Sequence, residues 1–484
     1  MNKSVIRFLM GKVLKTEAVL MLLPCLVALI YRETEGFYYL FTLALCWLLG
    51  FLLCLKRPKS SVFYLKEGCI TTALSWIFLS LFGALPFFLS REIPSYLDAL
   101  FETVSGFTTT GASILTDVES LSRCSLFWRS FTHWIGGMGV LVFIMAIIPL
   151  SGGSSINLMK AESPGPSVGK FAPKLKSTAR ILYGIYFALT VLQIILLLIG
   201  NMPVFDSVCT AFGTAGTGGF GIKNSSIAGY SPYLQWVITI FMILFGVNFN
   251  AYYLIVYRKF RKAFAMEEVR WYFIIIISSI GIIFLNILGT YAHIADALRD
   301  SAFQVASIIT TTGFSTVDFN LWNSTAKTVL VLLMFIGACA GSTGGGIKVA
   351  RFVVVIKTIK RELNSYIHPN SVKKIQVEGK AVDRETIKAI NVYFITFIVL
   401  FTLSVFLVSF EGKDLTTNFT AVAATINNIG PGLELAGPAS NFSLFSPLSK
   451  IVFIIDMLAG RLELFPLLIL FHPANIKEFF TRRR

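Results

Sequence analysis

The sequence predicts an all-α polytopic membrane protein: four parallel span–pore-helix–span repeats around a pseudo-fourfold pore, plus two N-terminal spans. Three observations carry that prediction. The 484 residues are 55% hydrophobic and 14% charged, with a mean hydropathy of +0.73, whereas soluble domains sit near a quarter charged. The basic residues collect in alternate segments between apolar runs. A short polar word also returns four times, with glycine-to-glycine intervals of 108, 94 and 117 residues.

The net charge of +16 is explained by its distribution. Segments 1–16, 56–68, 151–180, 258–270, 351–388 and 472–484 together hold 31 of the 42 Lys and Arg. That is the positive-inside pattern, and it places both termini in the cytoplasm of a multi-pass protein in the lipid bilayer. No polar stretch is long enough to form a soluble domain with a basic face, so nucleic acid is not an expected partner. The seven cysteines and four histidines are scattered without ligand spacing, which argues against disulfides, a metal cluster or a nucleophile–base pair. An enzyme is therefore not expected. The basic-then-apolar N-terminus resembles a signal peptide, but the run through Pro24 to Tyr31 without a small-residue cleavage site favours a retained span.

Apolar runs at 17–31 and 38–55 come first, the former short for a span unless its flanks extend it. A pattern then recurs: span, short run ending in the polar word, polar loop, span. Its members are 69–90, 98–109 and 126–150; 180–200, 206–217 and 233–257; 271–291, 300–311 and 327–357; and 387–410, 417–428 and 449–471. The chain divides accordingly into an N-terminal extension 1–66 and repeats 67–178, 179–268, 269–386 and 387–484. Every repeat starts and ends on the same side. That excludes an inverted-repeat transporter and favours units around an axis.

The words are Thr108-Thr109-Thr110-Gly111-Ala112, Gly216-Thr217-Gly218-Gly219-Phe220, Thr310-Thr311-Thr312-Gly313-Phe314 and Asn427-Asn428-Ile429-Gly430-Pro431. Asp98, Asp206, Asp300 and Thr417 each precede the key glycine by 13 residues. These residue types cap helices, and a dozen residues cannot span a bilayer as a helix. The segments are expected to be re-entrant pore helices, capped at Asp or Thr and stopped at glycine. Their negative C-terminal ends would point at an ion. Carbonyls of Thr109, Thr110 and Gly111, of Thr217, Gly218 and Gly219, of Thr311, Thr312 and Gly313, and of Asn428, Ile429 and Gly430 would replace a hydration shell. Threonine hydroxyls would extend that ladder by one site.

With His133-Trp134-Ile135-Gly136-Gly137-Met138-Gly139, Gly341-Ser342-Thr343-Gly344-Gly345-Gly346-Ile347-Lys348 and Gly460-Arg461-Leu462-Glu463, these words resemble the Trk, Ktr and HKT potassium transporter superfamily. The resemblance covers essentially the whole chain, and the two extra N-terminal spans favour the TrkH branch. It implies a potassium uptake subunit of the bacterial inner membrane, with potassium as the transported ion and one filter glycine per repeat. HKT members with serine in the first position tend to pass sodium, so glycine at 111 implies potassium. The second and fourth words depart from the threonine pattern, which implies an asymmetric filter limited by the fourth. The resemblance also implies a homodimer and a cytosolic nucleotide-binding regulatory ring of the TrkA type, with the basic stretch 351–388 as a docking surface. Coupled symport with protons or sodium is the alternative mode.

Five glycines within 337–346 should break the third repeat's second span, although close helix packing through small residues would use the same composition. A phosphate loop is a weak reading, because Lys348 follows Ile347 and no Ser or Thr comes after it. The resemblance implies an intramembrane gating loop containing Gly341, Gly344, Gly345 and Gly346. Lys348 either snorkels or belongs to that gate. Arg461, in an apolar run, is expected to face the pore and bond the gate's carbonyls or raise a barrier; the alternative is an inter-repeat bridge with Asp456 or Glu463. Asn248 and Asn250 are further candidates for polar lining.

Overall fold

The computed structural model describes residues 2–58, 64–137, 139, 175–369 and 374–480. Among them the chain is helical apart from a two-stranded ribbon that pairs Gln376 with Ala381 and Val377 with Lys380. Six helices are long and apolar enough to cross a membrane: Lys3–Tyr31, Gly36–Cys54, Leu65–Leu89, Arg180–Ile199, Glu267–Thr290 and Arg384–Ser409. They are the two N-terminal spans and the first span of each repeat. Residues such as Leu29, Phe37, Ile199, Ile277, Leu285 and Ile395 stay exposed on them, as a lipid-facing surface requires.

The first span is longer than its apolar run. It begins at Lys3, where the Asn2 side chain accepts from Val5 N. Its amphipathic first half buries Val5, Ile6, Leu9, Val13 and Leu14. Gly11 and Gly50 let it cross helix Gly36–Cys54 closely, since a methyl on either would lie 2.8 Å from the other's carbonyl oxygen.

The short helices are Tyr96–Phe107, Val204–Ala215, Ile294–Ile309 and Leu415–Ile426. The expected caps are corrected by one turn. Ser95 and Asp414 cap the first and fourth, accepting from Asp98 N at 3.4 Å and Thr417 N at 2.8 Å. Asp98, Asp206 and Thr417 stand third in their helices, and Asp300 lies deeper in a helix that begins at Ile294. An acid there still complements the helix dipole. Asp98 meets Lys450 at 2.6 Å, and Asp206 accepts from the Tyr230 hydroxyl at 2.9 Å.

The second spans differ most from expectation, because three are interrupted rather than one. Pro232–Phe245 and Phe249–Val256 meet at 91°. Ser324–Phe335 is parted from Val349–Ile367 by the irregular segment 336–348. Pro447–Arg461 is parted from Phe465–Phe471 by Leu462–Leu464, where Glu463 (φ 54°) and Leu464 (φ 70°) are left-handed. In the first repeat the described helix is Arg123–Gly137, and residue 138 and residues 140–174, with the rest of that expected span and most of the basic segment, lie outside the described residues. Such breaks are tolerated at membrane depth only where protein or a water-filled path surrounds them. All lie on one side of the short helices' ends.

Candidate functional site

Each short helix runs into the same turn. A cap residue (Thr108, Gly216, Thr310 or Asn427) is followed by a left-handed residue, then a spacer, then a left-handed glycine. The first left-handed residues are Thr109, Thr217, Thr311 and Asn428, with φ of 55°, 54°, 58° and 56°. The glycines are Gly111, Gly219, Gly313 and Gly430, with φ of 81°, 78°, 86° and 98°. Hydrogen bonds repeat in the same register. Thr110 N reaches Ser105 O at 2.9 Å, while Gly218 N to Gly213 O, Thr312 N to Ser307 O and Ile429 N to Ala424 O are each 2.8 Å. The two loose words thus adopt the backbone of the two clean ones. A non-glycine residue in the left-handed region costs about 1–2 kcal/mol, so each turn carries strain that its hydrogen bonds hold in place.

The glycines show how the turns are arranged. A methyl added to Gly111 would collide with Gly218 O, one on Gly219 with Thr312 O, and one on Gly313 with Ile429 O. One on Gly430 would come within 2.8 Å of Thr110 O. First copy meets second, second meets third, third meets fourth, and fourth meets first: a closed ring. Glycine is required here both by its dihedral angle and by the neighbour's carbonyl.

Among the described residues, no carbonyl of 109–111, 217–219, 311–313 or 428–430 accepts a hydrogen bond. Buried carbonyls are nearly always paired, so rows of unpaired ones around an axis call for a ligand. With four helix C-termini behind them, they present partial negative charge and suit a cation stripped of water.

Behind the ring the copies differ. The hydroxyls of Thr108 and Thr110 bond each other at 2.8 Å, and those of Thr310 and Thr312 at 2.7 Å. The Thr110 and Thr312 hydroxyls, expected to lengthen the ladder, are therefore engaged with neighbouring threonines. The second copy has glycine at both places, and the His133 ring lies where a side chain on Gly218 would go. In the fourth copy, Asn428 Nδ2 donates to Thr110 Oγ1 and Met457 O, both at 2.9 Å.

Segment 336–348 packs against the ring on its cap side. Gly345 N–H donates to Thr311 Oγ1 at 2.6 Å. A methyl on Gly345 would lie 2.8 Å from Asn427 O, and one on Gly344 3.0 Å from Thr310 O. Gly341 (φ 70°) and Gly346 (φ 66°) are left-handed, and Gly341 O accepts from Phe249 N at 3.0 Å, docking the loop on the 91° bend. Lys348 does not reach outward; its Nζ donates to Gly345 O at 3.0 Å and also to Gly344 O. Arg461 joins three repeats. Its guanidinium donates to Thr343 O at 2.9 Å, to Gly137 O at 3.0 Å and to Gly136 O. Neither suggested acidic partner of Arg461 is paired with it by these bonds: Glu463 pairs with Arg351, and Asp456 accepts from Ser404 at 2.7 Å.

Several residues emerge only in three dimensions. Glu268, buried, accepts from Ala340 N at 2.5 Å, inside the loop, and from Ala350 N at 3.2 Å, at the start of the helix that follows it. Asn248 is buried, donates to Glu268 at 3.2 Å and accepts from Asn250 N at 2.9 Å. Glu102 and Arg129 form a buried ion pair at 2.7 Å. Charges inside apolar segments were the available signal, the same one that singles out Arg461.

Fold and site together define a polytopic helical membrane protein of the transport class, organised around an oxygen-lined ring with a broken helix against it. The chain belongs to the TrkH family of cation transport proteins, whose family model matches residues 37–478. Among its relatives is the Trk system potassium uptake protein TrkH of Salmonella typhimurium, 36% identical over 469 residues, covering 95% of this chain and 96% of the relative. The potassium uptake protein TrkG of Escherichia coli is 33% identical over 458 residues, covering 93% and 94%. The crystal structure of the potassium transporter TrkH from Vibrio parahaemolyticus superposes with a TM-score of 0.88 at 32% identity, covering 98% of this chain and 100% of that one.

Proposed function

We propose that this chain is the potassium-conducting subunit of a Trk-type uptake system. The observation that carries this reading is the closed ring, in which each loop's glycine abuts the next loop's carbonyl. On this reading repeats 67–178, 179–268, 269–386 and 387–484 each supply one quarter of a filter. The unpaired carbonyls of 109–111, 217–219, 311–313 and 428–430 replace the water of a potassium ion. Both termini and the 336–348 loop face the cytoplasm of a bacterial inner membrane, as the basic segments suggest.

The loop is the gate. Gly344 and Gly345 close the path beneath the third and fourth copies, while Arg461 and Glu268 hold the loop shut. The helix that leaves it, Val349–Ile367, is tied by Arg351 to Glu463 and by Lys357 to Glu267 at 2.6 Å. A cytosolic nucleotide-binding ring of the TrkA type, docking on 351–388, would open the gate by displacing that helix, and the subunit would work as a homodimer. Ions then enter down the electrochemical gradient.

The test is growth of a potassium-uptake-deficient bacterium on low potassium, with this chain and its regulator co-expressed. Rescue by the wild type and its loss with Gly313→Ser are expected. A well-expressed wild type that fails to rescue would sink the reading.

A further inference from the structure

The seam between the first and second filter loops differs from the other three. Arg129 and His133 lie four residues apart on one face of helix Arg123–Gly137. Each bridges the first short helix to the exit of the second loop. Arg129 Nε donates to Glu102 Oε1 at 2.8 Å and Nη1 to Gly221 O at 3.1 Å, while the guanidinium lies 4.1 Å over the Phe220 ring. Glu102 also accepts from Ser113 Oγ and Ile114 N, both at 3.0 Å. One turn on, His133 Nδ1 lies 2.7 Å from Gly106 O, and Nε2 accepts from Phe220 N at 3.2 Å. These partners specify one neutral tautomer, with the proton on Nδ1. Glu102 and His133 are 0% exposed and Arg129 2%.

Two rungs, Glu102–Arg129–Gly221 and Gly106–His133–Phe220, therefore hold the residues that directly follow the filter glycine Gly219. The other seams are joined differently at the loop exits. Ile227 N donates to Ser315 O at 3.0 Å and Ser315 N to Ser226 Oγ at 3.2 Å. Glu434 N donates to Asn320 Oδ1 at 2.9 Å, and Phe442 N to Ser113 O at 2.8 Å. Those bonds join neutral groups, one or two to a seam. The ion pairs Lys450–Asp98 and Lys327–Glu434 also cross seams, but Glu434 is half exposed, and Asp98 lies in the first turn of its short helix rather than at a loop exit.

The second copy has a reason to need outside support. The first and third brace themselves through paired threonine hydroxyls. The second has Gly216 and Gly218 at those positions and so has no such pair, and its two glycines leave the backbone more conformational freedom. The His133 ring fills the space a Gly218 side chain would take. We propose that Glu102, Arg129 and His133 are selectivity-determining positioning residues, a clamp that keeps the second loop's carbonyls from following a smaller ion inward. This rests on the filter reading given above.

The test measures potassium and sodium fluxes of the purified, full-length protein in lipid vesicles, with thermal melting as the folding control. His133→Ala is expected to lower the potassium-to-sodium flux ratio about fivefold, the equivalent of one lost hydrogen bond. Adding Gly218→Thr to it restores part of the ratio, because the new side chain fills the space the imidazole leaves, although Gly216 offers it no hydroxyl to pair with. Gly218→Thr alone, which drives its side chain onto the His133 ring, lowers the ratio as well. Should His133→Ala fail to fold, Gly218→Ala reports the same displacement through its methyl group. A selective wild type whose folded variants keep its ratio overturns the clamp alone. A wild type that passes both ions equally overturns the filter reading and the clamp with it.

Discussion

The ring of loops and the segments packed against its cap side follow one another along the same chain and obey opposite rules. In the ring, four words that share little beyond one glycine fold to one backbone, with φ at the first left-handed residue between 54° and 58°. Against it, the described second spans are interrupted in unlike ways: a 91° bend, a 13-residue loop from 336 to 348, and a pair of left-handed residues at Glu463 and Leu464. An ion needs equal oxygens on every side, so variation in sequence is absorbed behind the ring by hydroxyl pairs, an imidazole or an asparagine. On the proposed reading a gate needs one moving part, so the 336–348 segment would be loosened while Arg461 and Glu268 supply its latches.

That contrast can be broken from either side. The largest effect is expected from Gly313→Ala. Its methyl collides with Ile429 O at a φ of 86°, and strain of about 1–3 kcal/mol predicts a loss of potassium flux of up to two orders of magnitude. Gly430→Ala should be milder, because its methyl would stand 2.8 Å from Thr110 O; equal damage at both sites in a flux assay would mean that a mechanism other than this contact sets the loss. Arg461→Ala comes next and acts in the other direction. It removes charge-assisted bonds to Thr343 O and Gly137 O, each worth about 1.5–3 kcal/mol, and should raise rubidium flux through the isolated subunit. Unchanged flux with a lowered melting temperature would assign the guanidinium to packing. Thr312→Val is the smallest, removing one hydroxyl link worth about 1 kcal/mol. A modest fall in potassium-over-sodium selectivity with growth retained is expected in the complementation assay.

The common register of the four words was legible because glycine is the residue left-handed backbone asks for, and it recurs at a fixed distance from Asp98, Asp206 and Asp300. The break within 337–346 was legible for the same reason. The other interruptions were not. The bend before Phe249 has a single glycine, Gly246, and depends on Asn248 turning its amide to Glu268; the one at Leu462–Leu464 has no glycine. Tertiary contacts set those conformations, and propensity is silent about them. Cap positions slipped because Ser95 and Asp414 lie just upstream of residues that would cap equally well. His133 was visible as part of a motif, yet its task depends on Phe220, 87 residues away, and no local pattern reports such a contact.

On the filter reading, the unpaired carbonyls bear on how this protein is handled as much as on what it transports. Oxygen dipoles crowded round an axis repel one another, and a cation of the right size relieves that repulsion. The transported ion is then also a component of the folded state, and stability becomes a property of the solution. A ligand at a hundred times its dissociation constant adds about 2.7 kcal/mol. The melting temperature should therefore climb as potassium replaces sodium or choline at constant ionic strength, and Gly313→Ala should flatten that climb; a wild type indifferent to the swap would mean the ring holds its shape unaided.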